Sequence, residues 1–207
     1  MLKQIKHPLI NIKLSRMRNK NTDYRDFKLN LKSLAMLMAY ELTHNLKTKS
    51  IDIETPLTKT KGYTFARDVV LVPILRAGLG MVDGFSEMIP QAHVGFVGMY
   101  RNEKTLKPVE YYCKMPDCIG SADVIVLDPM LATGNSTIAA VKLIQRKYKP
   151  HSISVAAVVS APEGVKNVQK QIPKITVYTC AVDEKLNNNG YIVPGLGDAG
   201  DRIFGTK

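Results

Sequence analysis

The stretch ADVIVLDPMLATGNST, residues 122–137, holds the residue types of an anion cradle. An apolar run ends at Asp128. A small-residue turn (Ala132, Thr133, Gly134, Asn135, Ser136) then opens a helical pattern whose apolar face carries Ile138, Val141, Ile144 and Tyr148. Free N–H groups at a helix start, with the positive end of the helix dipole behind them, attract anions. Thr133, Ser136 and Thr137 add hydroxyl donors, and the small side chains let a phosphate approach the backbone. The Walker pattern G-x4-G-K-[ST] is absent. Asp128, at the strand tip, is placed to accept hydrogen bonds from sugar hydroxyls. An N-capped crossover turn fits the same strand–turn–helix context equally well.

Three other segments could do chemistry. In VPILRAGLGMVDG, residues 72–84, Arg76 follows a strand pattern and is flanked by Ala77, Gly78 and Gly80. That setting suits a bidentate contact to phosphate or diphosphate, although a surface arginine on a turn is the commoner reading of such a feature. Residues 98–112, GMYRNEKTLKPVEYY, read as a hairpin hood with a polar tip at Arg101–Thr105 that could fold over a ligand and exclude water. In YIVPGLGDAGDRIFGTK, residues 191–207, the G-x-G-x-x-G match at 195–200 is misleading, because only seven residues follow Gly200. A dinucleotide fingerprint needs a βαβ unit and a later acidic residue. The segment reads instead as a tight loop whose main-chain groups select a flat ligand. His7, His44, His93 and His151 have no ligand spacing, and no G-x-S-x-G elbow occurs.

The elements that must position these loops are legible from periodicity. Short Val- and Ile-rich runs at 68–75, 92–99, 122–127, 152–160 and 175–181 are apolar on both faces, as in a mostly parallel sheet covered by helices. Helical patterns fall at 26–46, 79–88, 136–148 and 162–171, and residues 47–64 read as a short β-arm or hairpin. In such α/β sheets ligands bind at the carboxyl ends of the strands, where all four segments would lie.

The chain has 207 residues, 45% hydrophobic and 23% charged, which excludes collagen-like, low-complexity and disordered classes. No repeat or linker divides it. The net charge of +11 raises nucleic acid, acidic membrane or a phosphorylated small molecule as partners without choosing among them. Residues 1–32 hold nine basic and two acidic side chains, so most of the excess sits there. Three cysteines (Cys113, Cys118, Cys180) speak against a disulfide scaffold, and C-x4-C without a second pair makes no zinc site. No apolar stretch reaches the roughly 20 residues of a membrane span, and no signal-peptide pattern is present, so a cytoplasmic protein is expected.

Taken in order, VPILRAGLGMVDG, VGMYRNE-x-T, DPMLATG-x-S and YIVPGLGDAGDRIFGTK resemble the uracil phosphoribosyltransferase family, with similarity from KHPLI near the start to the last residue. The resemblance implies one type I phosphoribosyltransferase-like α/β domain over residues 1–207. Within it, 1–64 would be an N-terminal helical segment and β-arm, and 65–207 the core with its hood and base-binding loop. It implies transfer of the phosphoribosyl group of 5-phosphoribosyl 1-diphosphate (PRPP) to uracil, giving UMP and pyrophosphate with Mg²⁺ present. Asp128, Pro129, Met130, Leu131, Ala132, Thr133, Gly134, Asn135 and Ser136 would form the PRPP loop, with Thr133–Ser136 cradling the 5-phosphate. Arg76 and Arg101 would bind the pyrophosphate. Ile192, Gly197 and Ala199 would recognise uracil, and Asp198 would lie near both the base and the reacting ribose with its metal. Arg76, Arg101 and Asp198 are thus the expected catalytic residues. The family also implies a homodimer or homotetramer and suggests GTP as an allosteric activator. Position 135 departs from the family: Asn stands where a second Gly is usual. If that residue needs φ > 0, Asn is the least costly replacement.

Two competing readings carry distinct signs. A phosphoribosyltransferase for another base would prefer orotate or hypoxanthine. An RNA-binding regulator of pyrimidine synthesis on the same fold would show salt-steep RNA binding and poor turnover. Every loop needed for turnover is present, which disfavours the second.

Overall fold

A computed structural model describes residues 1–101 and 108–206, with the side chains of Arg101 and Pro108 outside the description. The chain begins with β1 (Leu2–Gln4), α1 (Pro8–Arg18) and α2 (Tyr24–Thr43), followed by β2 (Thr48–Glu54) and β3 (Lys59–Phe65). The central stretch comprises β4 (Val69–Leu75), α3 (Leu79–Met88), β5 (His93–Val94), β6 (Phe96–Arg101), β7 (Pro108–Lys114) and β8 (Asp123–Leu127). Then come β9 (Met130–Leu131), α4 (Asn135–Tyr148), β10 (Ser152–Ser160), α5 (Pro162–Gln171) and β11 (Thr176–Val182). The chain closes with β12 (Lys185–Leu186), β13 (Ile192–Val193) and α6 (Ala199–Phe204).

The main sheet runs β1-β11-β10-β8-β4-β6-β7, with β5 also on β4 and β9 also on β10. All its pairings are parallel except β6–β7, the two strands of the hood. The apolar runs become these strands because both faces are covered. Leu71, Ile125, Ala156 and Val158 pack with α1, α2 and α3 on one side. Val70, Val124, Val126 and Val155 pack with α4 and α5 on the other. The run at 92–99 divides at Gly95, whose N–H donates to Leu71 O at 2.9 Å. The β-arm is the β2–β3 hairpin, a two-stranded sheet separate from the main one.

The N-terminal 25 residues do more than periodicity suggested. β1 pairs with β11 at the sheet edge, and Ile10, Leu14 and Met17 of α1 are buried at i, i+4 and i+7. A three-residue strand carries no readable period, so only tertiary pairing reveals it. His7 caps α1 by accepting from Leu9 N–H, with Pro8 at the first helical position. Asp23 caps α2 by accepting from Asp26 N–H.

Candidate active site

The loop after β8 is built as its sequence pattern requires. Asp128 N–H donates to Ala156 O at 3.1 Å, and Pro129 O accepts from Val158 and Val159, so the chain stays pinned to β10 as it leaves the sheet. Leu131 is buried, and its carbonyl accepts from Ala161 N–H at 2.9 Å. Gly134 then takes φ +78° and becomes the N-cap of α4. The first bond across the cap runs from Ile138 N–H to Gly134 O at 2.8 Å. The N–H groups of Ser136 and Thr137 therefore have no intrahelical acceptor, the condition for an anion cradle. Asn135 N–H faces Thr133 Oγ1 at 3.4 Å.

The expectation for Asn135 is corrected on one point. The left-handed residue of this turn is Gly134, and Lys149 is the only non-glycine with positive φ among the described residues. Asn135 is the first residue of α4 with helical backbone. Tolerance of the left-handed region does not explain why Asn stands there; its Oδ1 accepts from Asn167 Nδ2 at 3.1 Å.

Asp128 is half-buried, and burial pushes its carboxyl up to about 6 against the stabilising pull of Met130 N–H and the Thr137 hydroxyl. A carboxylate so poorly solvated gains strongly from new donors such as ribose hydroxyls.

Arg76 sits on the neighbouring turn, after β4. A Cβ at Gly78 would lie 2.3 Å from Leu127 O, so only glycine lets this turn pack against the end of β8. The Arg76 side chain is 59% exposed and pairs with Asp201 at 3.3 Å. Its guanidinium would be 3.6 Å from a Cβ at Gly200, which places it on the rim of the base-binding loop. Arg101 ends β6, paired with Pro108 of β7. Its side chain and the hood tip at Asn102–Thr105 lie outside the described residues.

The C-terminal segment is tight as expected, with Gly195 and Gly197 at φ +62° and +73°. It differs in ending in α6, a short helix capped by Asp198, whose Oδ1 accepts from Asp201 N–H at 3.0 Å. The D-x-x-D spacing at 198–201 is the signal that could have revealed it.

Three of these loops line an open cleft of about 350 Å³. Met130 and Ala132 come from the loop after β8, Ala77 from the Arg76 turn, and Ile192, Gly197, Asp198 and Ala199 from the C-terminal segment. Asn189, Gly190, Tyr191 and Gly200 complete the lining; Asn189 and Gly190 precede the segment singled out in the sequence. Arg76, Asp128, Pro129, Leu131, Thr133, Gly134, Asn135 and Ser136 are not part of this lining: Pro129 and Leu131 are buried, Thr133 and Ser136 are half-buried and Asn135 is exposed at the helix start.

The C-terminal loop is held from behind by two arginines. Arg18 of α1 makes a bidentate pair with buried Asp183, Nη1–Oδ2 2.9 Å and Nη2–Oδ1 2.6 Å, and also donates to Gly195 O at 2.8 Å. Asp183 Oδ2 accepts in addition from Gly195 N–H at 2.8 Å. Arg202 donates to Met17 O at 2.5 Å and Leu196 O at 2.9 Å, and stacks over Phe27 with 4.4 Å to the ring centre. Part of the basic N-terminal excess is thus structural. Arg18 is committed inward and Lys32 pairs with Glu87.

The uracil phosphoribosyltransferase family model matches residues 4–206. A uracil phosphoribosyltransferase of Ureaplasma parvum serovar 3 is 56% identical over 208 residues, covering 100% of both chains. A solved protein from Aquifex aeolicus superposes with a TM-score of 0.94 at 35% identity, over 99% of this chain and 98% of that one. A hypoxanthine phosphoribosyltransferase from Staphylococcus aureus shares the fold alone, at TM-score 0.51 and 13% identity over 78% and 76% of the two chains. The parallel sheet with its flanking helices is the type I phosphoribosyltransferase architecture. With that sheet, the three described loops at its carboxyl end and a family match over nearly its whole length, the chain belongs to the uracil phosphoribosyltransferase family.

Proposed function

We propose that this protein transfers the phosphoribosyl group of PRPP to uracil, releasing UMP and pyrophosphate. The observation that carries the reading is the single cavity walled jointly by the Arg76 turn, the loop after β8 and the C-terminal loop. A sugar phosphate, its leaving diphosphate and a flat base could meet where those three come together.

In this reading the backbone N–H groups at the start of α4 and the hydroxyls of Thr133 and Ser136 hold the 5-phosphate. Asp128 accepts from the ribose hydroxyls and fixes the ring. Bond cleavage at the anomeric carbon leaves an oxocarbenium-like ribose and a negatively charged diphosphate, so the protein's work is positioning and charge stabilisation. Arg76, at the rim by Gly200, neutralises the leaving group, with Arg101 as its partner from the hood. Main-chain groups of Ile192, Gly197 and Ala199 orient uracil so that its nitrogen lies in line with the breaking bond. The aldehyde-like cation is readily hydrolysed, so water exclusion by the hood completes the site.

Mg²⁺ would enter this scheme together with PRPP. Among the described residues no three His, Cys, Asp or Glu side chains cluster as a metal site. Mg²⁺ keeps several waters and takes one or two carboxylates plus substrate phosphates. Asp198 is the carboxylate on hand, and the bound ion would add charge neutralisation to that of Arg76.

The choice of uracil is tested by competing uracil, orotate and hypoxanthine in one PRPP-dependent assay. Uracil is expected to dominate product formation; preference for either other base would reassign the substrate. A homo-oligomer fits the exposed apolar side chains of the β-arm, Leu57 at 95% and Tyr63 at 76% exposure, because a lone hairpin is marginal in water. Light scattering reads that assembly, and GTP titrated into the same assay reads activation. No helix of the described residues is long and apolar enough to cross a membrane.

A further inference from the structure

From the contacts behind the loop after β8, we infer that Asn167 of α5 is a positioning residue for PRPP and that Asn135 is its partner. The inference rests on the functional reading above.

Asn167 Nδ2 donates to Thr133 O at 2.9 Å and to Asn135 Oδ1 at 3.1 Å. The chemistry fixes which end of the amide faces the loop. Thr133 O is a carbonyl and can only accept, so the atom opposite it must be the nitrogen. A carboxamide nitrogen carries two hydrogens, and the two acceptors use both. The contact is reinforced by backbone proximity. A Cβ at Gly164 would lie 2.1 Å from Ala132 O, and one at Gly134 would lie 2.9 Å from Gly164 O. The first turn of α5 therefore lies directly against the loop.

An anion cradle works only if its N–H groups face the ligand and its carbonyls do not. Thr133 O is the carbonyl at the bend of this loop, and Asn167 draws it to the rear. That leaves the Thr133 and Ser136 hydroxyls and the helix-start N–H groups for the phosphate. A glycine in place of Asn135 would offer the second hydrogen of Asn167 no acceptor. Asn135 thus converts a single tether into a two-point brace. A loop ordered before binding loses less entropy when PRPP arrives.

The test is PRPP binding by calorimetry with Mg²⁺ and without base, alongside steady-state kinetics on the full chain. Asn167→Ala is expected to weaken PRPP binding roughly three- to tenfold, the worth of one hydrogen bond to a partly buried carbonyl. KM for PRPP should rise in step, while kcat and KM for uracil stay within about twofold. Asn167→Asp keeps the size but removes the donors, so it should weaken PRPP binding at least as much. Asn135→Gly should weaken it about twofold, and the double variant should match Asn167→Ala alone, the signature of coupled partners. Unchanged PRPP affinity in a folded Asn167→Ala or Asn167→Asp would overturn the brace, as would an equal rise in KM for both substrates. A wild-type protein that binds PRPP but makes no UMP would defeat the functional reading and leave the brace to be judged on affinity. A wild-type protein that does not bind PRPP would defeat both.

Discussion

Asp128→Asn is expected to lose at least roughly tenfold in PRPP affinity while becoming the more stable protein at about pH 8. The loss follows from replacing a charged acceptor of ribose hydroxyls with a neutral one. The gain follows from the raised carboxyl. Its folded value of about 6 lies above the ordinary value of 3.8, so the unfolded chain sheds this proton first as pH rises. Folding stability from this group is therefore highest below about pH 4 and declines as pH climbs to about 6, where the cost levels off. After allowance for its half-buried setting, that cost is on the order of 2 kcal/mol. The amide escapes it, since its oxygen can still accept from Met130 N–H and its nitrogen can donate to the Thr137 hydroxyl. Urea unfolding at about pH 8 and about pH 4 reads the difference. The variant's advantage should be present at the higher pH and absent at the lower. Equal stability at both would mean that Asp128 carries no burial penalty in the free protein.

Asp183→Ala is expected to destabilise the fold by about 2–4 kcal/mol and to raise KM for uracil more than KM for PRPP. Asp183 is 7% exposed and accepts three hydrogen bonds, two from Arg18 and one from Gly195 N–H. Its removal leaves a guanidinium and a backbone donor without their acceptor. The Arg18 side chain keeps 24% exposure and its bond to Gly195 O, which holds the cost below that of a fully buried orphan. The kinetic asymmetry follows from position. Gly195 leads into Gly197, Asp198 and Ala199, which wall the base end of the cavity, whereas the start of α4 is held by other contacts. Arg18→Lys keeps the charge but cannot span both carboxylate oxygens and Gly195 O, so it should show a weaker form of the same pattern. Chemical denaturation with paired KM measurements checks both; equal rises in the two KM values would show a general loss of structure and not a positioned loop.

What was legible in the sequence is what local periodicity encodes. Leu79–Met88, Ser152–Ser160 and Pro162–Gln171 form where their patterns placed them, because each stretch buries the face its own spacing defines. The loop after β8 was legible because small residues between an apolar run and an amphipathic helix have few other uses. Asn135 was read through backbone conformation, when the left-handed residue was Gly134 and its own role is a side-chain contact with α5, 32 residues away. The brace on the base-binding loop was equally hidden. Arg18 and Asp183 are 165 residues apart, and nothing near either announces the other. Within the sequence Arg18 was one of nine basic residues in a charged segment; the fold turns it inward. The +11 net charge thus mixes solvated side chains with half-buried structural ones, and says little about the partner.

The central claim is that three loops on one end of the sheet form a single site for PRPP and uracil. Its most direct measurement is conversion of radiolabelled uracil to UMP by the purified full chain with Mg²⁺, with and without PRPP. UMP that forms only when PRPP is present, with pyrophosphate released in equal amount, is the predicted result. Absence of PRPP-dependent UMP from folded protein would contradict the account.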